Sequence, residues 1–163
     1  QAAERGVGLT VSLDVNGHEA EHVGGLPAAV KVLDMFKGTE AEVAAAAACC
    51  GGGAALEEMV KGSGLTIVTT AGAKGASVKS AEEAGDVEGC KVSVQDTTGA
   101  GDACCAGVLF SRIAAGGGWR ESLEFGCAAG AVNCERLGGC SAPVTVEEVE
   151  ALLRQQWQGA RSS

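Results

Sequence analysis

The feature that most constrains this chain is the stretch Asp96-Thr97-Thr98-Gly99-Ala100-Gly101-Asp102, which separates a β-rich segment from an Ala-, Cys- and Gly-rich segment with helical spacing. Small residues leave the backbone accessible here. Consecutive N–H groups at the start of a helix can therefore face an anion, and the helix dipole adds partial positive charge. A phosphate group fits such a site. Asp102, in the first helical turn, could take a proton from a hydroxyl held beside that phosphate.

Short glycine motifs also occur where no ligand binds, and Asp is common in loops and first helical turns. The stretch is more specific than that, because Ala103-Cys104-Cys105-Ala106-Gly107 continues it without a break. Together these residues resemble the C-terminal signature of the ribokinase-like (PfkB) family of carbohydrate and nucleoside kinases. The resemblance implies that Asp102 is the catalytic base. It also implies that the N–H groups of Gly99, Ala100 and Gly101 form the anion hole for the transferring phosphoryl group.

The composition limits the core and excludes one class of partner. At 163 residues the chain is long enough for one domain with a single core. The content is 46% hydrophobic but only 3% aromatic, which predicts a core of small residues. The net charge of −9 argues against nucleic-acid binding, which needs a clustered basic surface. Any phosphate site must therefore be local.

The eight cysteines predict reduced, buried thiols rather than a disulfide framework. Two pairs are adjacent in sequence, at 49–50 and 104–105, and no Cys-x-x-Cys occurs. We therefore expect an intracellular protein, in the cytoplasm or an organelle stroma. No apolar run is long enough to span a bilayer, and the N-terminus does not resemble a signal peptide. The chain starts almost directly at a predicted strand, without Met, which is typical of a fragment or a processed product.

One motif near the N-terminus suggests a different chemistry. His18-Glu19-Ala20-Glu21-His22 is a literal His-Glu-x-x-His, which in a stable helix would supply two zinc ligands, with Glu19 as general base and Glu42 as third ligand. However, Asn16-Gly17 precedes it and Gly24-Gly25 follows it, and glycines in such positions disfavour a long helix. These flanks favour a charged, solvated loop over a zinc hydrolase.

Strands alternate with helices along the rest of the chain. Predicted strands cover residues 7–15, 34–37, 65–70, 76–79 and 91–94. Predicted helices cover residues 26–33, 40–48, 54–61, 100–115 and 119–136, and a last helix runs from a Thr145/Glu148 capping box to about Gln155. Residues 76–79 pair back after a Gly-rich turn. The pattern predicts an α/β fold, layered α/β/α, with a mostly parallel sheet and one β-hairpin.

Two further segments resemble parts of the family's nucleotide site. Glu42 matches the Glu of the family's Asn-x-x-Glu motif, which helps to place Mg²⁺ and phosphate through water. Thr39 replaces the Asn, and a helix cap explains it sufficiently. Thr70, Gly72 and Gly75 match a Thr-x-Gly-x-x-Gly segment that lies along the nucleotide in the family, although a simple hairpin explains them equally.

The loop from Leu137-Gly138-Gly139 to Pro143 resembles the family's loop beside adenine. In the family this loop often encloses a monovalent cation together with the residues that match Asp96 and Thr98. The resemblance thus implies ATP and Mg²⁺ as cofactors, with a possible K⁺ site. The metal residues implied are Glu42, Asp96 and Thr98, and the implied nucleotide contacts are Thr70, Gly72, Gly75, Gly138 and Gly139.

The resemblance covers residues 7–153 but corresponds only to the C-terminal half of the family. The sequence lacks the N-terminal half, with its sugar-binding Gly-Gly segment, and the lid. We expect residues 1–157 to form the C-terminal part of a PfkB-type kinase domain and residues 158–163 to form a frayed tail.

The function that we predict is an ATP-dependent kinase acting on a hydroxyl of a sugar or a similar small molecule. The alternatives are a nucleoside kinase, and a non-catalytic kinase-like binding or assembly module or an inactive fragment. Neither a nucleic acid nor a membrane is an expected partner. Sheet edges that a missing half would cover favour self-association.

Overall fold

The computed structural model describes residues 12–14, 30–139 and 141–160. The chain divides into two compact units, one of Gln1–Thr69 with Lys79–Ala84 and one of Thr70–Val78 with Gly85–Ser163. Strands of the described part are β1 (Ser12–Asp14), β2 (Met35–Thr39), β3 (Thr66–Thr70), β4 (Ala76–Lys79) and β5 (Ala84–Val87). Its α-helices are α1 (Glu40–Cys49), α2 (Gly53–Ser63), α3 (Ala100–Leu109), α4 (Trp119–Cys134) and α5 (Val146–Ala160).

The strands form one mixed, mostly parallel sheet in the order β1-β2-β3-β4-β5, which confirms the predicted α/β fold. β1 pairs with β2 in parallel, with Ser12 opposite Met35 and Asp14 opposite Lys37. That register places a carboxylate and an ammonium group at the same level, and Lys37 Nζ donates to both oxygens of Asp14 at 2.8 and 2.7 Å. The pairing satisfies a lysine that is only 3% exposed.

In the first unit, α1 and α2 bury small and aliphatic side chains against the β2 and β3 region. α1 begins where predicted, because Thr39 caps it through a capping box with Glu42. α2 continues past Gly62 to Ser63 and ends at Gly64, which adopts the left-handed conformation at φ 76°. The largest fully buried side chains of this core are Phe36, Leu65 and Val60.

In the second unit, α3 and α4 pack so closely that their contact residues must be small. A Cβ added at Gly126 would lie 2.4 Å from Val108 Cγ2 and 2.8 Å from the carbonyl oxygen of Cys104. A Cβ at Gly107 would lie 2.9 Å from the Cβ of Ala129. α5 covers the other side of α4 with Val149 and Leu152. The core of small residues expected from the composition is therefore present.

α3 was predicted to run to residue 115, but its last part is a π-helical turn, Phe110–Ala114. The Ala115 N–H donates to the Phe110 carbonyl oxygen at 3.2 Å, which closes this wider turn. Gly116 then ends the segment at φ 70°. Arg112 holds the next connection, because it donates to the Gly117 carbonyl oxygen at 2.8 Å and lies 4.8 Å from the centre of a Trp119 ring.

The strand predicted at residues 91–94 is wrong, since this segment has no strand structure. Its surroundings explain why. Gln95 and Asp96 donate their N–H groups to the Cys134 carbonyl at the end of α4, and Gln156 donates to the Lys91 carbonyl. The segment is therefore anchored by α5 at Lys91, and the two residues that follow it are anchored by the end of α4. β5, in contrast, was not predicted, because Ala84-Gly85-Asp86-Val87 is polar and glycine-containing.

Several predictions fall partly or wholly outside the described residues. Of the predicted strand 7–15, only Ser12–Asp14 is described, and of the predicted helix 26–33 the structure describes a short 3₁₀ turn, Val30–Val32. The His18 to His22 motif lies entirely outside them. α5 reaches Ala160, which includes the first three residues of the segment expected to fray.

Within the described part of the chain, no single helix is long and apolar enough to cross a bilayer. α1 and α2 reach that length and composition only as a pair, and the two meet at 88°. Cys50, Cys104 and Cys134 are buried, as expected of cysteines that act as small apolar core residues. Cys90, Cys105 and Cys127 are half-buried. Cys49, at the end of α1, is exposed, so the expectation of a buried thiol is wrong there.

Candidate active site

The predicted anion-binding motif forms the N-terminus of α3. Gly99 is the N-cap residue at φ 74°, a left-handed conformation that glycine adopts without steric cost. The Ala103 N–H donates to the Gly99 carbonyl oxygen at 2.9 Å, which starts the helix. The Ala100 N–H donates to the Thr97 carbonyl oxygen at 3.2 Å and closes the preceding turn. Asp102 lies exposed in the first turn.

Asp96 connects this motif to a distant loop. Its Oδ1 accepts the Thr98 N–H at 2.9 Å, and its Oδ2 accepts the Gly138 N–H at 2.9 Å. Hydrogen bonds from Thr98, and then from Gly138, lower the pKa of the Asp96 carboxyl below its ordinary value. Asp96 therefore acts as an ionised clamp between the two glycine-rich segments.

The two segments also touch through their backbones. A Cβ added at Gly99 would lie 3.0 Å from the Gly139 carbonyl oxygen. A Cβ at Gly139 would lie 2.9 Å from Thr98 Cγ2 and 3.1 Å from the Thr98 carbonyl oxygen. Glycine at both positions allows this close approach, so the structure brings together the residues predicted as anion hole and as adenine loop.

Asn133 completes the cluster and was not predicted. It lies in α4, is 6% exposed, and donates from Nδ2 to the Thr98 carbonyl oxygen at 2.8 Å. A usable signal was present in the sequence: Asn133 is the polar residue in the run Ala128-Ala129-Gly130-Ala131-Val132-Asn133-Cys134. A buried carboxamide in such surroundings needs a hydrogen-bond partner.

A cleft of about 600 Å³ opens beside the N-terminus of α3, with α4, α5 and the loop between them as its other walls. Asp102 and Gly99 lie at one part of its lining, and Asn133 and Gly139 at another. The remaining walls are mostly small and apolar. They consist of Ala103, Ala106, Gly107, Phe110, Phe125, Ala129, Ala142, Pro143, Val144, Thr145, Val146 and Val149.

Arg136 and Glu148 hold the loop that forms one wall of the cleft. Arg136 Nη1 donates to the Pro143 carbonyl oxygen at 2.8 Å, and its Nη2 forms an ion pair with Glu148. Glu148 also accepts the Thr145 N–H at 3.0 Å, while its own N–H donates to Thr145 Oγ1 at 3.3 Å, which confirms the predicted capping box. The wall is thus fixed at both ends of the Ala142–Thr145 segment.

The other predicted nucleotide contacts lie in a tight turn between β3 and β4. Gly72 and Gly75 have φ values of 57° and 108°, and the Ala71 N–H donates to the Gly75 carbonyl oxygen at 2.8 Å. A Cβ at Gly75 would lie 2.0 Å from the Val87 carbonyl oxygen, so turn geometry and packing require glycine there. Thr70, Gly72 and Gly75 do not line the cleft described above.

Glu42, predicted as a metal residue, belongs to the first unit, where its carboxylate accepts the Thr39 N–H at 2.6 Å. The cap expected at Thr39 is therefore confirmed. Among the described residues, no three His, Cys, Asp or Glu side chains form a group that could hold a metal ion. The zinc alternative also needs His18 and His22, which lie outside those residues.

The geometry combines three chemical capacities in the second unit. N–H groups at the start of α3 can hold an anion, because the first turn of a helix lacks internal acceptors for them. The exposed carboxylate of Asp102 lies in the same turn. The apolar cleft beside both can take a flat or aliphatic group of a ligand.

Comparison with known proteins gives a consistent result. The family model of the pfkB family carbohydrate kinases matches residues 8–145. An uncharacterised sugar kinase of Dictyostelium discoideum is 44% identical over 61 residues, which are 37% of this chain and 17% of that protein. A ribokinase of Schizosaccharomyces pombe is 38% identical over 85 residues, 52% of this chain and 26% of that protein.

Solved structures show the same fold. An E. coli protein assigned as a ribokinase II, in complex with ATP and Mg²⁺, matches 94% of this chain and 50% of its own, with a TM-score of 0.78 at 22% identity. A fructokinase double mutant of Vibrio cholerae, bound to fructose, ADP and potassium ion, matches 93% of this chain and 53% of its own, with a TM-score of 0.71 at 26% identity. The chain thus spans about half the length of the solved chains that it matches.

The family model covers most of the chain, and it includes the Asp96 to Asp102 motif, its Asp96 clamp and the N-terminus of α3. The fold, the Asp96 to Asp102 motif and the relatives all indicate the same family. This chain belongs to the pfkB family of carbohydrate kinases, a family of sugar and nucleoside phosphotransferases.

Proposed function

We propose that the second unit is the nucleotide-binding part of an ATP-dependent kinase that phosphorylates a hydroxyl of a sugar or a similar small molecule. One observation carries the proposal. The exposed carboxylate of Asp102 lies in the first turn of α3, three residues after the left-handed Gly99. It lines a largely apolar cleft. Phosphoryl transfer depends mainly on such positioning and on electrostatic stabilisation of the transferring group.

In this proposal the residues at the start of α3 have separate roles. Asp102 would remove the proton from the acceptor hydroxyl as its oxygen attacks the terminal phosphorus of ATP, the bond from that phosphorus to the bridging oxygen breaks, and ADP leaves. The N–H groups of Gly99, Ala100 and Gly101 hold the oxygens of the transferring phosphoryl group. The Ala100 N–H already donates to the Thr97 carbonyl oxygen. We therefore assign most of the hydrogen bonding to the phosphoryl oxygens to the N–H groups of Gly99 and Gly101. One such donor typically contributes about 2.7–4 kcal/mol to a transition state.

The base of the nucleotide would occupy the apolar cleft. The lining of the cleft is mostly small and apolar, and the wall segment held by Arg136 and Glu148 would lie against the base. Gly138 and Gly139 would contact the nucleotide through their backbones, as the family resemblance implies, and Thr70, Gly72 and Gly75 would lie along it.

Two kinds of cation belong to the proposal. Carboxylate and carbonyl oxygens are the ligands that Mg²⁺ and K⁺ prefer, and Asp96, Thr98 and Glu42 supply such oxygens. Asp96 is already ionised by its hydrogen bonds, so it fits a cation without loss of a proton. When bound, Mg²⁺ would neutralise charge on the phosphates of ATP. The structures of an E. coli ATP and Mg²⁺ complex and of a potassium-bound V. cholerae fructokinase support both assignments.

The proposal extends to the setting of the protein. Buried thiols at Cys50, Cys104 and Cys134 fit a reducing, intracellular location in the cytoplasm or an organelle stroma. Small hydroxyl compounds and ATP are the expected ligands. We also expect self-association, which analytical ultracentrifugation measures. Turnover measured with a set of sugars and a set of nucleosides as acceptors would distinguish a sugar kinase from a nucleoside kinase.

The test is the substitution Asp102→Asn in the complete protein. The amide keeps the size of the side chain but cannot take the proton, so we expect turnover to fall at least about a hundredfold, the lower end of general-base catalysis. ATP affinity should change less than about threefold. The matched control is Glu147→Gln, another first-turn acid, in α5, which should leave turnover unchanged. Unchanged turnover in Asp102→Asn would overturn the assigned role.

A further inference from the structure

We propose that Asn133 is a positioning residue that aims the N–H group of Gly99 at the phosphoryl group, and so acts on catalysis through the backbone. The inference rests on the proposed function. It goes further because it assigns the orientation of the anion hole to a side chain of α4, 34 positions away in sequence from Gly99.

The contact itself is short, and its donor side chain is buried. Asn133 Nδ2 lies 2.8 Å from the Thr98 carbonyl oxygen, and the residue is 6% exposed. Its neighbours Val132 and Cys134 are buried too. In such surroundings an unmade hydrogen bond costs more than it would in water, so the carboxamide and the carbonyl hold each other firmly.

The rigidity of the peptide unit carries this contact to the anion hole. The Thr98 C=O and the Gly99 N–H belong to the same planar trans peptide, and in a trans peptide these two groups point in opposite directions. By fixing the direction of the Thr98 carbonyl, Asn133 therefore fixes the direction of the Gly99 N–H. Asp96 holds the preceding peptide through the Thr98 N–H, so Thr98 is anchored on both sides.

Gly99 is the position where such an anchor matters most. Glycine has no Cβ to restrict it, and its φ of 74° is one of several values that it adopts at similar cost. If the peptide between residues 98 and 99 rotated, the carbonyl oxygen of Thr98 would face the phosphate in place of the N–H. The phosphate would then meet a hydrogen-bond acceptor where the Gly99 N–H had offered a donor. The Asn133 contact opposes this rotation.

The test compares Asn133→Leu with the wild-type protein by calorimetry, with Mg·ATP and with adenosine as separate ligands. Leucine keeps the branched arrangement of four side-chain heavy atoms but cannot donate. We expect about a tenfold weaker affinity for Mg·ATP, the effect of one lost hydrogen bond. For adenosine, which carries no phosphate, we expect a change of about twofold or less, since residue 133 also contributes to the lining of the cleft. Asn133→Thr, which keeps a donor on a shorter side chain, should lie between the two.

A second readout does not depend on nucleotide. In ¹H–¹⁵N spectra of the ligand-free protein, the Gly99 amide signal should move in Asn133→Leu, while Ser122→Ala should leave it in place. Ser122 is a matched control because it is a fully buried polar residue of the same helix, bonded to Ser111 and not to the loop. This control shows whether the loss of any buried hydrogen bond from α4 moves the Gly99 amide signal.

The outcomes separate the inference from the function on which it rests. An unmoved Gly99 amide would overturn the positioning role whatever the ligands do. Equal losses of ATP and adenosine affinity would also overturn it, because they would show a structural effect on the whole cleft. Wild-type protein that binds adenosine but not Mg·ATP would instead overturn the proposed phosphate site. A moved amide with loss of ATP affinity alone supports both.

Discussion

The carboxylate of Asp96 accepts a hydrogen bond from the backbone N–H of Gly138 at 2.9 Å, across 42 positions of sequence. The same carboxylate holds the Thr98 N–H, so one side chain fixes two loops, which line the cleft through Gly99 and Gly139. Gly99 and Gly139 approach each other beside it. The arrangement makes the start of α3 and the loop after α4 a single structural unit, and any ligand that contacts one loop depends on the other.

The first prediction concerns the pH dependence of this clamp. The pKa of Asp96 is lowered in the folded protein, mainly by the hydrogen bonds from Thr98 and then from Gly138. Its stabilising effect is therefore fully present above the unfolded value of about 3.9 and is lost as the pH falls through the lower folded pKa. The amide shift of Gly138 should titrate with a midpoint below about 3.9. In Asp96→Asn that titration should vanish, and a midpoint at or above about 4 in the wild type would contradict the clamp.

The second prediction compares two left-handed glycines. Gly116→Ala introduces a Cβ at φ 70° with no heavy atom within 4 Å, so it should cost about 1–2 kcal/mol for the backbone alone. Gly99→Ala has a similar φ, but its Cβ would also lie 3.0 Å from the Gly139 carbonyl oxygen. We expect it to lose about 1 kcal/mol or more beyond Gly116→Ala. Urea denaturation measures both, and equal losses would show that the two loops do not constrain each other.

The third prediction uses helical glycines with opposite surroundings. Gly62→Ala, in α2, meets open space and should raise the free energy of unfolding by about 0.5–1 kcal/mol through helix propensity. Gly126→Ala would place its Cβ 2.4 Å from Val108 Cγ2 and 2.8 Å from a backbone oxygen, and should lower it by about 1–3 kcal/mol. We therefore expect the two substitutions to change the free energy of unfolding in opposite directions, which thermal or urea unfolding measures. A stabilising Gly126→Ala would show that α3 and α4 are not in close contact.

Much of the fold follows from local signals that act over a few residues. The cap at Thr39, the capping box of Thr145 and Glu148, and the strand ending at Thr70 are all set by neighbouring side chains, and each lies within a residue of its prediction. The start of α3 was predicted for the same reason, because its small residues and Asp102 are contiguous. Local chemistry therefore locates the candidate site.

The parts that were not predicted depend on contacts between distant residues. Residues 91–94 have the composition of a strand, but the Lys91 carbonyl accepts from Gln156 of α5, and the two residues that follow, Gln95 and Asp96, donate to Cys134 at the end of α4. Asn133 acquires its role only when α4 lies against Thr98, and Arg136 only when the loop folds back to Pro143. One sequence does not display such pairings, since the partners are set by the packing of whole helices.

The most direct test of the central claim is titration of the protein with Mg·ATP by calorimetry, beside Gly101→Val and Gly53→Val. Valine at 101 crowds the N–H groups at the start of α3, whereas valine at 53 occupies the same kind of first-turn position in α2, with open space around it. We predict saturable binding by the wild type and by Gly53→Val, and at least about a tenfold loss in Gly101→Val. Folded wild-type protein that does not bind Mg·ATP, or a Gly101→Val variant that binds it equally well, would contradict a phosphate site at this helix.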